Sequence, residues 1–326
     1  MKRIEQIKQM SRFIELFFLI TLLLVYGWVT YQRNFVWEND LSLWGDAAKK
    51  SPQKYRPHNN LGIAYLEKKE YDNAMAEFRE TLRLNPRAEK AYSNIGQIYE
   101  EKGQFQKAIE NYKKAVEISP NFTGALHFLG NIYEKQGLLD SALLYYEKAW
   151  RTKQDNPKIL ISFGTVCQKR GQFREAVNYY KMALRIDPNL PEAYYDLGLL
   201  YDEKDLLDEA TYYYREALKL KPDYPQALSN LGIIHARMGR LAEAIDLFKK
   251  ALNMKPDDAI TLLNLGIAYE KLAKSYELRA LSDQDRAKST ELRAKAIEIY
   301  RKVLYLEPDN MQAKESMTRL MSHQSN

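Results

Sequence analysis

The sequence predicts an all-α solenoid of stacked helical pairs, and three periodic observations predict it. Glycines recur every 34 residues, at Gly62, Gly96, Gly130, Gly164, Gly198, Gly232 and Gly266. Twelve residues after each of the first six comes an alanine (Ala74, Ala108, Ala142, Ala176, Ala210, Ala244), and four beyond that an aromatic ring (Phe78, Tyr112, Tyr146, Tyr180, Tyr214, Phe248). A proline closes most units, at Pro86, Pro120, Pro188, Pro222 and Pro256. Self-similarity at such a period marks an array in which each helical pair buries its apolar face against the next.

Residues 1–12 form a basic flank. Phe13 to Tyr31, FIELFFLITLLLVYGWVTY, is a 19-residue apolar run with one charge, Glu15. At about 1.5 Å per residue it spans roughly 28 Å, close to the thickness of a hydrocarbon core. Tyr26, Trp28, Tyr31, Phe35 and Trp37 crowd its far end as an interfacial aromatic belt would. The expectation is a transmembrane signal-anchor helix over 13–31 in contact with the lipid bilayer. A cleaved signal peptide and a buried core helix stand as alternatives. The first lacks a small-x-small cleavage site, the sequence there reading Gly27-Trp28-Val29, and the second lacks a surface to cover a helix apolar all round. Lys2, Arg3, Lys8 and Arg12 precede the run, whereas Arg33 alone follows within fifteen residues, beside Glu38, Asp40 and Asp46. The positive-inside rule then predicts a single-pass membrane protein with a cytoplasmic N-terminus and its repeats on the outer side, periplasmic in a bacterium.

Residues 32–54 read as a linker and a degenerate half-repeat. Trp44, Ala47 and Pro52 lie 34 before Phe78, Thr81 and Pro86, so 39–52 is the second helix of a unit that caps the array. Seven units follow over 55–308. In each, the glycine is expected to face the alanine of the second helix, with the rings at Tyr65, Phe78 and their equivalents filling the space between pairs. Gly103, Gly137, Gly171 and Gly239 fall at the turn between helices, where a left-handed residue ends the first helix, and Asp205 takes that place in the fifth unit. Cys167 and His235 replace tyrosines of the column Tyr65, Tyr99, Tyr133, Tyr201 and Tyr269, so both are expected to be packed. In Tyr145-Tyr146, Tyr179-Tyr180 and Tyr212-Tyr213-Tyr214, one ring is core and its neighbours cover repeat edges. The seventh unit has 27 residues between Tyr269 and Ala296 instead of 9. The 18 extra residues contain no Gly or Pro, and Ser282-Asp-Gln-Asp285 looks like a turn with a helix N-cap. A protruding hairpin over about 270–295 is expected, with Glu270–Lys274 and Glu291–Lys295 as exposed pairs one turn apart. Residues 309–326 supply a capping helix and a loose tail.

The recurring columns resemble the tetratricopeptide repeat (TPR) over residues 55–308. That resemblance implies a right-handed TPR superhelical solenoid; with the cap and the apolar run read above, the expected architecture is seven repeats plus a half-repeat cap behind one N-terminal transmembrane helix. It also implies a concave groove, lined by the first helices, that holds an extended peptide. Two residues before the glycines stand Asn60, Asn94, Phe128, Ser162, Asp196, Asn230 and Asn264. The asparagines resemble the ladder in the TPR superhelix of protein O-GlcNAc transferases, which holds peptide backbone. An amide suits that task because it both donates and accepts. The carboxylate-clamp TPRs are a poorer match, since Ile63, Phe128 and Ser162 interrupt the stripe of Lys and Asn they need. The junction Thr30-Tyr-Gln-Arg-Asn34, Trp37, Leu43-Trp44 and Lys50-Ser-Pro52 leading into Asn60-Leu-Gly62 resembles polytopic membrane glycosyltransferases with C-terminal TPRs.

Composition narrows the function. Lys+Arg 49 against Asp+Glu 43 gives +6, but residues 1–33 contribute five basic against two acidic, leaving 44 against 41 in the rest. A near-neutral body has no electrostatic footprint for nucleic acid. One cysteine allows no intramolecular disulfide or CxxC knuckle, and His58, His127, His235 and His323 make no ligand spacing. No phosphate loop, carboxylate pair or nucleophile–base motif stands out, and Asn121-Phe-Thr123 has the form of a glycosylation sequon. No catalytic residue, cofactor or metal is expected. The expected function is a membrane-anchored TPR scaffold that binds a protein or extended peptide in its groove. The alternative is a non-catalytic accessory subunit that presents polypeptide to a membrane glycosyltransferase or export machine. Nothing in the sequence sets the oligomeric state.

Overall fold

The computed structural model describes residues 2–36, 38–279 and 282–322. Among the described residues there are seventeen helices and no strand. The chain divides into two compact units, residues 1–154 and 155–326. Unit one holds α1 (Lys2–Val36), α2 (Asp40–Lys50), α3 (Tyr55–Glu67), α4 (Tyr71–Leu84), α5 (Glu89–Glu101), α6 (Phe105–Ile118), α7 (Thr123–Lys135) and α8 (Leu139–Thr152). Unit two holds α9 (Pro157–Lys169), α10 (Phe173–Ile186), α11 (Pro191–Asp202), α12 (Leu207–Leu220), α13 (Pro225–Arg237), α14 (Leu241–Met254), α15 (Ala259–Arg279), α16 (Asp283–Leu306) and α17 (Met311–Ser322). The helical pairs α3/α4 to α15/α16 are the seven repeats.

Each repeat is built on one close approach. The aromatic ring of the second helix lies flat over the glycine of its own first helix, so a Cβ on Gly164 would stand 2.6 Å from Tyr180 Cε1, and one on Gly62 2.6 Å from Phe78 Cε1. This corrects the expected pairing of glycine with alanine. The bare backbone of the glycine receives the ring, while Ala74 clusters with Ala91, Ile95 and Ile98 of the following first helix. The rings of this column therefore cover the glycine of their own repeat and, as expected, also fill the space to the next pair, Phe78 clustering with Ala91, Ile95 and Ile98 of α5 and Tyr112 with Ala125, Leu129 and Ile132 of α7. Tyr112, Tyr146, Tyr180, Tyr214 and Tyr300 are all fully buried.

The turns between paired helices use the left-handed region, at Gly103, Gly137, Gly171 and Gly239 with φ 70 to 78°, and at Asp205 with φ 59°. In the first repeat Lys69 occupies it as well, at φ 60°, with no sequence signal to mark it. A hydrogen bond reaches back over each turn, as from Gln172 N to Cys167 O at 2.8 Å. Cys167 and His235 are buried as expected, and burial pushes the Cys167 thiol up and the His235 imidazole down from their ordinary pKa values. Neither ring nitrogen of His235 has a hydrogen-bond partner. The second tyrosines stack on first-helix rings: Tyr145 on Tyr133 at 5.4 Å, Tyr179 on Phe163 at 5.2 Å and Tyr213 on Tyr201 at 5.2 Å.

At the two ends, α2 opens with a reciprocal cap in which Ser42 N donates to Asn39 Oδ1 at 3.0 Å. In the seventh repeat α15 runs 21 residues and α16 runs 24, the latter capped by Ser282 Oγ, which accepts from Asp285 N at 3.2 Å. Residues 280–281, at the expected hairpin tip, and the tail 323–326 with His323 lie outside the described residues. Glu291 does pair with Lys295, at 2.5 Å, and also with Lys288, which together pull its carboxyl down to about 2. Glu270 does not pair with Lys274. It accepts from Tyr300 Oη at 3.0 Å and pairs with Arg319 of α17 at 2.7 Å, because the closing helix brings a guanidinium to it.

The expected membrane anchor is corrected. Among the described residues no helix is long and apolar enough to cross a membrane. Glu15 interrupts the apolar run, and what remains of that run beyond it, Leu16 to Tyr31, is 16 residues. At about 1.5 Å per residue that is roughly 24 Å, against a hydrocarbon core of about 30 Å. The single-pass topology, the bilayer contact of residues 13–31 and the placement of the repeats on an outer side lose their basis. The core-helix alternative fails too, since the large apolar side chains from Phe13 to Tyr31 are exposed. The side chains of Glu15, Arg33 and Phe35, and the whole of Trp37, lie outside the described residues.

Candidate peptide-binding face

Two residues before the glycine is a turn of roughly 200° around a helix, so a side chain there points away from the ring that covers the glycine. That geometry places Asn60 on α3, Asn94 on α5 and Phe128 on α7 in unit one, and Asp196 on α11, Asn230 on α13 and Asn264 on α15 in unit two. All six are half-buried.

Their surroundings differ. Asn60 Oδ1 accepts from Asn59 Nδ2 at 3.4 Å, and Asn94 Nδ2 is buried with no partner. Phe128 stacks on Tyr112 at 5.3 Å, which makes it part of the wall of α7. Ser162 Oγ donates to Lys158 O at 3.1 Å within α9. Asn230 Nδ2 donates to Tyr195 Oη at 3.2 Å and Tyr214 Oη at 3.5 Å, so that amide ties three helices together. The expected ladder is therefore two kinds of residue: amides with unused groups in unit one, and an amide committed to tyrosines in unit two.

Sequence reasoning missed a second row on these helices. Tyr112 Oη donates to Glu100 at 3.1 Å, Tyr146 Oη to Glu134 at 2.6 Å, Tyr180 Oη to Gln168 at 3.1 Å and Tyr300 Oη to Glu270 at 3.0 Å. Where the ring is phenylalanine, at Phe78 and Phe248, the matching first-helix residue is Leu66 or Ala236. The signal was available: a hydroxyl on the ring requires an acceptor twelve residues earlier, or thirty in the lengthened seventh repeat. Burial raises the pKa of Tyr112, Tyr214 and Tyr300, and the nearby carboxylates add to the rise. Some of these acceptors also reach the next first helix, as Glu100 does to Lys135 at 2.6 Å and Gln168 to Glu203 at 2.6 Å. These acids hold neighbouring repeats in register. Among the described residues no group of three His, Cys, Asp or Glu side chains could hold a metal ion.

A pocket of about 320 Å³ also went unread. It lies at the first turns of α3 and α5, against Asn59, Asn60 and the end of α4. Its counterpart in the sixth repeat, beside Asn230 and the first turn of α15, is about 160 Å³.

Sequence profiles of the tetratricopeptide repeat match residues 89–122, 125–160, 190–257 and 223–278, and a TPR-repeat profile matches 62–103 and 164–205. The chain belongs to the TPR family. Solved TPR structures share its fold. The APC/C hetero-tetramer Cut9–Hcn1 superposes with a TM-score of 0.64 at 19% identity, covering 70% of this chain and 45% of that one. A TPR protein from Parabacteroides merdae gives 0.57 at 16%, covering 82% and 98%. The pilF protein of Pseudomonas aeruginosa gives 0.56 at 22%, covering 71% and 97%. No curated protein sequence matches the chain. The likeness of the junction over 30–62 to polytopic membrane glycosyltransferases finds no support, since the TPR profile matches begin only at residue 62.

Proposed function

We propose that this TPR chain is a protein-binding scaffold whose first-helix faces hold an extended segment of a partner. The observation that carries the reading is the set of unused amide groups in unit one. Asn94 Nδ2 and Asn59 Oδ1 are buried without partners, a state that costs free energy unless a ligand completes it. A peptide backbone offers a donor and an acceptor at every residue, which matches amides of both polarities. Protein recognition by an extended chain is one of the recurrent modes available to such a surface.

Chemical crosslinking of the full chain in extracts of its native cells, followed by mass spectrometry, tests this. Partner crosslinks are expected along α3 and α5, and the doubly substituted Asn60→Ala, Asn94→Ala chain should recover about tenfold less of the same partners, each amide contact being of order 0.5–1.5 kcal/mol. Undiminished recovery by a variant with an unchanged circular dichroism spectrum would remove the binding site from these helices.

A further inference from the structure

Repeats one and six place the same pocket at the same position, and their residues correspond one for one at an offset of 170: Arg56 to Gln226, Asn59 to Ser229, Asn60 to Asn230, Asn85 to Lys255, Ala88 to Asp258 and Lys90 to Ile260. In repeat six the pocket supplies its own anion. Asp258 accepts from Thr261 N at 3.1 Å, capping the N-terminus of α15, and pairs with Lys255 at 3.1 Å. Ser229 and Thr261 hydroxyls meet at 2.9 Å, and Asn230 is held by two tyrosines. Every polar wall of that pocket has an internal partner or faces solvent.

In repeat one the carboxylate is missing. Ala88 stands at the N-cap of α5, which has no side-chain cap, and Lys54 stands at the N-cap of α3, also without one. Two uncapped helix starts, each with free backbone N–H groups and a positive dipole end, border the same 320 Å³ space. Arg56 and Lys90 are exposed on its rim beside one acid, Glu89, and among the described residues neither forms an ion pair; Arg56 Nε donates to Tyr55 Oη at 3.5 Å. Inside it, Asn59 is 8% exposed and its Oδ1 has no partner. Asn85 Oδ1 accepts from Arg87 N at 3.1 Å, which leaves its Nδ2 to donate.

We infer that the pocket of repeat one takes an acidic side chain, Asp or Glu, from within an extended peptide, its carboxylate occupying the place that Asp258 fills in repeat six. The inference rests on the peptide-binding reading above and adds the chemistry of the bound segment. The carboxylate accepts from the uncapped N–H groups of α5 and faces Arg56 and Lys90, while a peptide N–H donates to Asn59 Oδ1. The site calls for chain on both sides of the acid, so an internal residue fits it without a free C-terminus.

The test uses the full chain on an array of octapeptides with acetylated and amidated ends, the fourth residue fixed as Glu, Gln, Lys or Leu and the others randomised. Retention is expected about fivefold higher on the Glu series than on the Gln series, the scale of one dipole and two exposed charge contacts. Ala88→Asp, which gives repeat one the internal cap of repeat six, should abolish that preference, with circular dichroism as the folding control because Ala88 is buried in the cluster of Phe78, Ala91 and Ile95. Arg56→Glu combined with Lys90→Glu should turn it towards the Lys series. Equal retention on Glu and Gln overturns the acidic specificity but leaves peptide binding standing, and retention on no series overturns both. A Glu preference that survives Ala88→Asp also overturns the inference, because the acid then sits elsewhere.

Discussion

Repeats one and six share a frame and differ in what they leave open. Both carry a phenylalanine over the glycine, with a Cβ at Gly62 or Gly232 coming within 2.6 or 2.7 Å of the ring, and both pair that ring with an apolar residue, Leu66 or Ala236. Their asparagines occupy the same turn of the first helix. Yet Asn230 is spent on Tyr195 and Tyr214, whereas Asn60 meets only Asn59. The difference comes from neighbours one repeat away: Tyr195 belongs to α11, before Asn230, whereas the element before α3 is α2, the second helix of a half-repeat. A repeat in the middle of an array can satisfy its inner polar groups with the preceding first helix. The first full repeat has no such helix, and Asn60 meets only Asn59; Asn94, in the second repeat, has α3 before it and still leaves its Nδ2 without a partner.

That comparison is broken first if the frames are not alike. Gly62→Ala and Gly232→Ala should each lower stability by about 1–3 kcal/mol, because the added methyl overlaps a ring packed against backbone and cannot be accommodated by rotation. Gln284→Ala, at an exposed site near the start of α16, should stay within about 0.5 kcal/mol. Denaturant unfolding followed by circular dichroism measures all three. A loss at one glycine alone would mean that the two repeats are packed differently, and the amide comparison would lose its footing.

The amides themselves give the next effect. Asn230→Ala should cost about 1 kcal/mol, since two tyrosine hydroxyls lose their donor in a half-buried place. Asn60→Ala at the equivalent position should change stability by less than about 0.5 kcal/mol. Equal losses in the same unfolding assay would show that Asn60 is a structural residue like Asn230.

The fold was legible because a 34-residue period superimposes every demanding position: the glycine under the ring, the left-handed glycine of the turn, the proline beyond the second helix. Cys167 and His235 were placed in the core by the same logic, from the column they interrupt. What the period cannot give is direction within a repeat, so it pairs Gly62 with Ala74 where the structure sets Phe78 against that glycine. The site was legible only as a column. Asn60 and Asn230 are one letter in one register, and their different environments depend on Tyr195 and Asp258, residues in other columns. The apolar run at the N-terminus misleads for a related reason: Phe13 to Tyr31 has the length of a bilayer core only if Glu15 is counted within it, and the apolar span beyond Glu15 is shorter than that core.

The smallest expected effect separates the two repeats' neighbours at the turn. Among the described residues Lys69 and Asp205 are the two non-glycine residues with left-handed backbone, at φ 60° and 59°. For an L-residue that conformation costs roughly 1–2 kcal/mol, and glycine recovers part of it while losing about 0.5–1 kcal/mol of unfolded-state entropy. Lys69 makes no ion pair or hydrogen bond with its side chain among the described residues, so Lys69→Gly should raise stability by about 0.5 kcal/mol. Asp205 differs on two counts. An acidic side chain tolerates the left-handed region better than lysine does, and its carboxylate pairs with Arg237 of α13. Asp205→Gly removes that tie, and the gain in backbone freedom is offset, so its expected change is near zero or slightly negative. Comparing the two variants in one unfolding assay, at low and at high salt, isolates the ion pair: the Asp205 variant should approach the Lys69 variant as salt screens the contact. If Asp205→Gly stabilises as much as Lys69→Gly at low salt, the Arg237 contact contributes nothing there, and the turn of the fifth repeat is set by its backbone alone.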